Sequence, residues 1–233
     1  MNGSWLGDTA AMYGRVFRRA AQLTVRNWPL AVLAVTYPVL LSALSRLLGS
    51  YGFIGGMIWT AAAAACFSSW LHFLEQVVNG RGRADLRDLP ASFGTYLGDV
   101  LNVGFLLFLL QLVAAFVLAP FPLLLIVFAL AVLVFLNAVP ELIYLGRSAA
   151  AELLAESYRF IGTNWIEWFP ANLLLVAVVF GVEMILPEGP FGLISAAGAG
   201  LVAAYGWVVR GLLFLELNSS SRRTREFRRR AAG

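Results

Sequence analysis

Arg210 stands inside an apolar run that extends from about Phe191 to Leu215. A charge in such a run is costly in hydrocarbon. It marks either a working site or a long side chain that reaches back to the headgroups. The groups expected at the same level are His72 and Glu75 at the end of a second apolar run, Glu141 just after a fourth, and Glu216. His72 and Glu75 are three residues apart, so on a helix they share one face. A histidine beside a carboxylate can relay protons, and it can equally be an interfacial pair that satisfies its own hydrogen bonds. Arg46 and Glu183 form a second candidate pair, each near the far end of its own run, where pairing would lower the cost of both charges.

Other chemistry finds no residues to carry it. One histidine and one cysteine cannot build a His/Cys metal site, and a single cysteine excludes an internal disulfide. Cys66 lies in the apolar run Ala61 to Phe67 and reads as an inert buried thiol. No GxxxxGK[ST] or GxGxxG phosphate-binding turn occurs. Ser68, Ser69 and His72 fall close together on one helix, but no oxyanion donor or orienting acid accompanies them, so a serine hydrolase is not expected. The sequence implies no cofactor, no metal and no enzyme.

The elements that hold these residues follow from composition. Of 233 residues, 60% are hydrophobic and 13% charged, about half the usual charged share of a soluble domain. Such a chain cannot clothe itself in polar surface unless lipid covers the rest. Six apolar segments stand out, at about 28–48, 52–73, 100–119, 121–139, 168–186 and 191–215. Each is near the length of a helix that crosses about 30 Å of hydrocarbon. Runs such as Leu106–Leu110 and Leu123–Leu133 do not alternate, which argues against a transmembrane barrel. The expected fold is therefore an all-α integral membrane protein, a single polytopic domain over residues 1–217 with a basic tail over 218–233.

Very short connections at Gly49–Tyr51, Pro120–Pro122 and Pro187–Pro190 join the segments into three hairpins. The longer connections carry the charge. All seventeen basic residues are arginine. Fifteen of them fall before the first segment, between the second and third, between the fourth and fifth, and in the tail. The positive-inside rule then puts both termini in the cytoplasm, as expected for a bacterial inner-membrane protein. Met1 to Ala11 lacks a basic stretch followed by an apolar one, so no cleaved signal peptide is expected. The tail arginines Arg222, Arg223, Arg225, Arg228, Arg229 and Arg230 are placed to meet anionic lipid, at about 1 kcal/mol per charge near the surface, and not nucleic acid.

The polar stretches before segments one, three and five resemble one another. Arg15, Arg18, Arg19, Gln22 and Arg26 form a polar stripe at helical spacing, opposite Met12, Val16, Ala20 and Leu23. Glu152, Glu156, Arg159 and Thr163 form another, opposite Leu142, Leu145, Ala149, Leu153 and Phe160. Leu89, Phe93 and Leu97 give a weaker match in the middle. Asn27-Trp28 and Asn164-Trp165 close the outer two stretches, 137 residues apart. Three repeat units are expected, at 8–79, 80–140 and 141–217, each an interfacial amphipathic helix followed by a transmembrane hairpin. The stretch Ala155–Trp165, an amphipathic helix entering Asn-Trp and then a span, resembles the membrane domain fused to some bacterial glycerophosphodiester phosphodiesterases, and its stand-alone relatives. The resemblance implies the fold. The soluble phosphodiesterase barrel is absent, so it implies no activity.

Small residues recur every fourth position in segment two, at Gly52, Gly56, Thr60, Ala64 and Ser68, and in segment six, at Gly192, Ala196, Gly200 and Ala204. Such stripes let helices approach closely in lipid, within one chain or between copies. Asn102, Gln111, Asn137 and Asn172 are expected to hydrogen-bond between helices. Three classes of function stay open. The first is a non-catalytic membrane subunit or scaffold of an export or envelope complex, with other subunits or further copies as partners. The second is a small-solute or lipid transporter with the Arg210 cluster at its inner mouth. The third is a membrane-embedded lipid enzyme.

Overall fold

A computed structural model of the chain describes residues 3–80, 83–146, 151–185 and 192–219. Nine α-helices and no strands occur among the described residues. They are α1 (Gly3–Arg26), α2 (Pro29–Leu48), α3 (Gly52–Val78), α4 (Leu89–Thr95), α5 (Leu97–Leu118), α6 (Pro122–Phe135), α7 (Val139–Leu145), α8 (Ala151–Ile185) and α9 (Gly192–Ser219). Four stretches are long and apolar enough to cross a membrane: Pro29–Val78, Leu97–Leu118, Pro122–Leu145 and Ala197–Ser219. The first of these folds back on itself. Gly52 takes φ 54°, a left-handed backbone that favours glycine, and the chain reverses there. The Trp59 indole then donates to the Leu41 carbonyl and Tyr37 OH meets Ser69 Oγ, an antiparallel register between α2 and α3. The segment expected as the fifth span, at about 168–186, falls in the second half of α8, which is not among these four stretches.

Helix α9 is the hub. It packs against α1, α2, α3, α7 and α8, while α5 and α6 lie at the margin against α3, α8 and each other. The approach of α9 to α2 rests on the small-residue stripe. Ala204 is fully buried, and a Cβ on Gly200 would collide with the Val35 side chain and stand 2.7 Å from the Ala31 carbonyl oxygen. Gly192 begins α9, and its side-chain surroundings and those of Ala196 lie outside the described residues. The stripe on α3 behaves differently. Ala64 and Ser68 are buried, but Gly52, Gly56 and Thr60 are exposed, and a Cβ on Gly52 or Gly56 would meet nothing within 4 Å. Four-residue spacing selects a face of a helix without saying whether that face meets a partner.

The two stretches that read alike in sequence share a burial register. Val16, Ala20, Thr24, Asn27 and Leu30 are buried, and so are the residues 137 positions later, Leu153, Ser157, Ile161, Asn164 and Glu167. Both asparagines donate to the carbonyl four residues back, Asn27 to Leu23 and Asn164 to Phe160. The arms differ at the Asn-Trp mark. Pro29 follows Trp28 directly and cannot donate a backbone hydrogen bond, so the chain turns between α1 and α2. The Asn27 side-chain oxygen there accepts the Ala84 N–H. After Asn164-Trp165 the next proline is Pro170, and α8 runs unbroken through both. The interfacial helix expected to end at Trp165 is thus continuous with the apolar helix beyond it. The middle interfacial helix shrinks to α4, held by Ser68 and Ser69 of α3. Ser69 Oγ bonds Ser92 Oγ, and Ser68 Oγ accepts the Tyr96 N–H at 2.8 Å. The hydroxyls weighed for hydrolysis are therefore joints between α3 and α4.

Candidate functional site

The site is built on a broken helix. Pro140 has no N–H, so it cannot bond the Leu136 carbonyl, and the helix that would join α6 to α7 opens between Phe135 and Val139. Leu136 is instead bonded by the Val139 N–H, one residue early. Backbone groups freed in an apolar stretch need partners from the rest of the protein. Two side chains supply them, and a third holds the Asn137 side chain in the break. Ser157 Oγ of α8 donates to the Phe135 carbonyl at 2.8 Å. Arg210 Nη2 of α9 donates to the Asn137 carbonyl at 2.7 Å. The Trp168 indole N–H of α8 donates to Asn137 Oδ1 at 2.9 Å.

Arg210 also binds Glu141, the residue after the proline. Its Nε lies 2.7 Å from Oε1 and its Nη2 lies 2.9 Å from Oε2, a two-point ion pair. The Glu141 side chain is 0% exposed and that of Arg210 18% exposed. The guanidinium also sits 5.3 Å from the centre of the Trp168 ring and 5.2 Å from that of Trp207. Tyr144 of α7 is in electrostatic contact with Glu141, Arg210 and Tyr96, and its hydroxyl has no hydrogen-bond partner among the described residues. A Cβ on Gly211 would stand 2.5 Å from that hydroxyl, so α7 and α9 meet at a glycine.

Of the five residues grouped from the sequence, the structure pairs two. Arg210 takes Glu141 from the acids offered. Glu75 accepts from Tyr96 OH at 2.6 Å. His72 Nε2 lies 3.0 Å from Gln76 Nε2, which also donates to Asp88 at 3.0 Å. An amide nitrogen can only donate, so Nε2 of His72 is the acceptor in this contact. Glu216 forms an exposed ion pair with Arg15 at 3.5 Å. Arg46 is exposed. The side chain of Glu183 and the tail arginines Arg222 to Arg230 lie outside the described residues. Of the four amides, Asn137 joins two helices, Asn172 bonds back to the Trp168 carbonyl of its own helix, and Asn102 and Gln111 are exposed. Cys66 is buried. No group of three His, Cys, Asp or Glu that could hold a metal occurs among the described residues.

Reading the sequence missed Trp168, Trp207, Ser157 and Glu167. Tryptophans near a membrane boundary look like interface anchors, and Ser157 looks like part of an amphipathic stripe. Glu167 offered a signal, a carboxylate two residues beyond Trp165 and beside Trp168. It is buried, and its backbone carbonyl accepts from Tyr13 OH of α1 at 2.6 Å. Burial, with the nearby Glu167 charge, pushes the Tyr13 phenol up to about 12.

Two apolar clefts flank the Trp207 ring. One, of about 380 Å³, lies between α8 and α9 and reaches Arg210. The other, of about 290 Å³, lies among α2, α3 and α9 and touches Cys66. No family model matches the chain, and neither curated proteins nor solved structures match it.

Proposed function

We propose that this chain is a six-span bacterial inner-membrane protein, three hairpins with cytoplasmic interfacial helices and both termini inside. It acts as a non-catalytic membrane subunit or scaffold of an export or envelope complex. The observation that carries this reading is the use made of Arg210 and Glu141. They bind each other and a broken helix, which is structural work, and the other charged groups named from the sequence are spread over separate contacts. The outer surface supports it as well. Arg15, Arg18, Arg19 and Arg26 are exposed along α1, ready for headgroups or a partner, and large apolar residues such as Phe105, Phe116 and Leu123 are exposed elsewhere. The resemblance of 155–165 to a membrane domain found fused to soluble enzymes fits an anchoring role.

The test is gentle extraction at native expression level followed by mass spectrometry of what co-purifies. A stoichiometric protein partner is expected. A protein that comes out alone and moves a solute across liposomes would refute the scaffold reading and favour transport. The orientation has its own check. Cys66 is buried, so a cysteine placed at Ser221 should resist an impermeant thiol reagent in intact cells and react after lysis. Labelling from outside would overturn it.

A further inference from the structure

The cleft between α8 and α9 is lined by Asn172, Leu175, Val202, Gly206, Trp207 and Arg210, and the mechanism of the helix break leaves part of it unexplained. Its volume of about 380 Å³ falls in the ~300–1,000 Å³ range of small-ligand sites. Val176 in its wall is 51% exposed, so the cleft opens to the apolar surface of the protein. The walls are apolar along their length and polar at one end. There Arg210 spends Nε and Nη2 on Glu141 and Asn137, while Nη1 donates to no described residue and the side chain keeps its 18% exposure. A guanidinium has five N–H donors, and two of them remain on Nη1.

We infer that this cleft seats one acyl chain of a bilayer glycerolipid, with an ester carbonyl oxygen accepting from Arg210 Nη1. The inference rests on the membrane reading above. Charge argues for an ester and against a free carboxylate. Glu141 already neutralises Arg210, and a second carboxylate would add an unbalanced negative charge to an apolar cleft. The chain then lies along Leu175, Gly206 and Val202 beside the Trp207 ring.

The experiment uses the full chain in phosphatidylethanolamine–phosphatidylglycerol vesicles doped with a phosphatidylglycerol that carries a diazirine on one acyl chain. After illumination, adducts are mapped by peptide mass spectrometry. Adducts are expected at Leu175, Val202 and Gly206, and at rim positions such as the exposed Val176. Gly206→Leu fills the cleft. A Cβ there meets only Leu175, at 3.6 and 3.8 Å, so the substitution enters the cleft and not the core. It should cut cleft adducts about tenfold, a 1.4 kcal/mol effect, with rim adducts unchanged. Val202→Trp serves as the second filling variant if Gly206→Leu does not fold. The double variant Arg210→Gln with Glu141→Gln should lower lipid adducts and leave labelling by a headless diazirine alkane unchanged. Equal cleft adducts in wild type and filling variants, or rim adducts alone, would overturn the inference and leave the membrane reading standing. Displacement of the probe by oleate would overturn it in favour of a free fatty acid. No adduct anywhere would defeat the membrane reading itself.

Discussion

Removing either partner of the Arg210–Glu141 pair should cost far more than removing both. Glu141→Gln leaves a guanidinium among Trp168, Trp207 and a neutral amide. Arg210→Met leaves a carboxylate that is 0% exposed, together with an unpartnered Asn137 carbonyl. Stripping one partner from a buried pair costs about 3–5 kcal/mol. The double variant Arg210→Met with Glu141→Gln removes both charges and keeps their volume. Its remaining defect is the Asn137 carbonyl, worth about 1–3 kcal/mol for a buried acceptor without a donor. The coupling between the two sites should therefore be favourable by about 3 kcal/mol or more, at the upper end for residues in contact. The assay is reversible unfolding of the four proteins in mixed micelles, followed by tryptophan fluorescence. A double variant whose loss equals the sum of the single losses would refute the reasoning, because it would show that the two charges do not depend on each other.

Gly200→Ala should destabilise by about 1–3 kcal/mol, since its methyl meets Val35 and the Ala31 carbonyl. Gly198→Ala, with nothing within 4 Å, should be neutral or stabilising by up to about 1 kcal/mol in the same unfolding assay. Ser157→Ala should cost about 1–3 kcal/mol by leaving the Phe135 carbonyl unbonded. Unchanged stability would show that the break is satisfied otherwise. In an alkaline absorbance titration, Tyr13→Phe should remove one tyrosine that ionises near 12. The phenol ionises later when folded than its ordinary 10.0, so its contribution to stability is full below pH 10.0 and fades as pH rises toward about 12.

Much of this arrangement was legible, and the limits have physical causes. Apolar length and turn residues located the helices, and α2, α3 and α5 begin within about three residues of expectation. A single arginine in an apolar run left two readings, a paired site or a side chain reaching the headgroups, and the structure pairs it with Glu141. Which acid it would choose was not legible, because 69 residues separate Arg210 from Glu141 and two other acids, Glu75 and Glu216, were expected at similar depth. Pro140 was the missed clue. A proline one residue before an acid in an apolar run both opens carbonyls and supplies the counter-charge. The Asn-Trp marks looked alike in sequence, yet only the one followed by proline breaks its helix. Residues Gly52, Gly56 and Thr60 matched a packing pattern that depends on having something to pack against.

A proline-broken helix in an apolar segment raises two costs at once, unbonded carbonyls and, here, a carboxylate. Either could be removed separately, the first by a continuous helix and the second by an apolar residue at position 141. The chain keeps both and settles them with one side chain. Arg210 is the residue type suited to this, because its planar fork bonds Glu141 at two points and still reaches the Asn137 carbonyl, which a lysine ammonium on a longer, single-pointed stem does not match. The consequence is a link between α9, the hub, and the joint between α6 and α7 that holds only when both elements are in register. Such a link rewards one assembled arrangement of the helices over alternatives of similar apolar burial, in a setting where the hydrophobic effect does not choose among them. Arg210→Lys tests this specificity. It keeps the charge and loses the fork, so the variant should retain the Glu141 contact but leave the Asn137 carbonyl open. Its stability should fall between those of wild type and Arg210→Met. A lysine variant as stable as wild type would show that the charge alone suffices and that the bond to the broken helix is incidental.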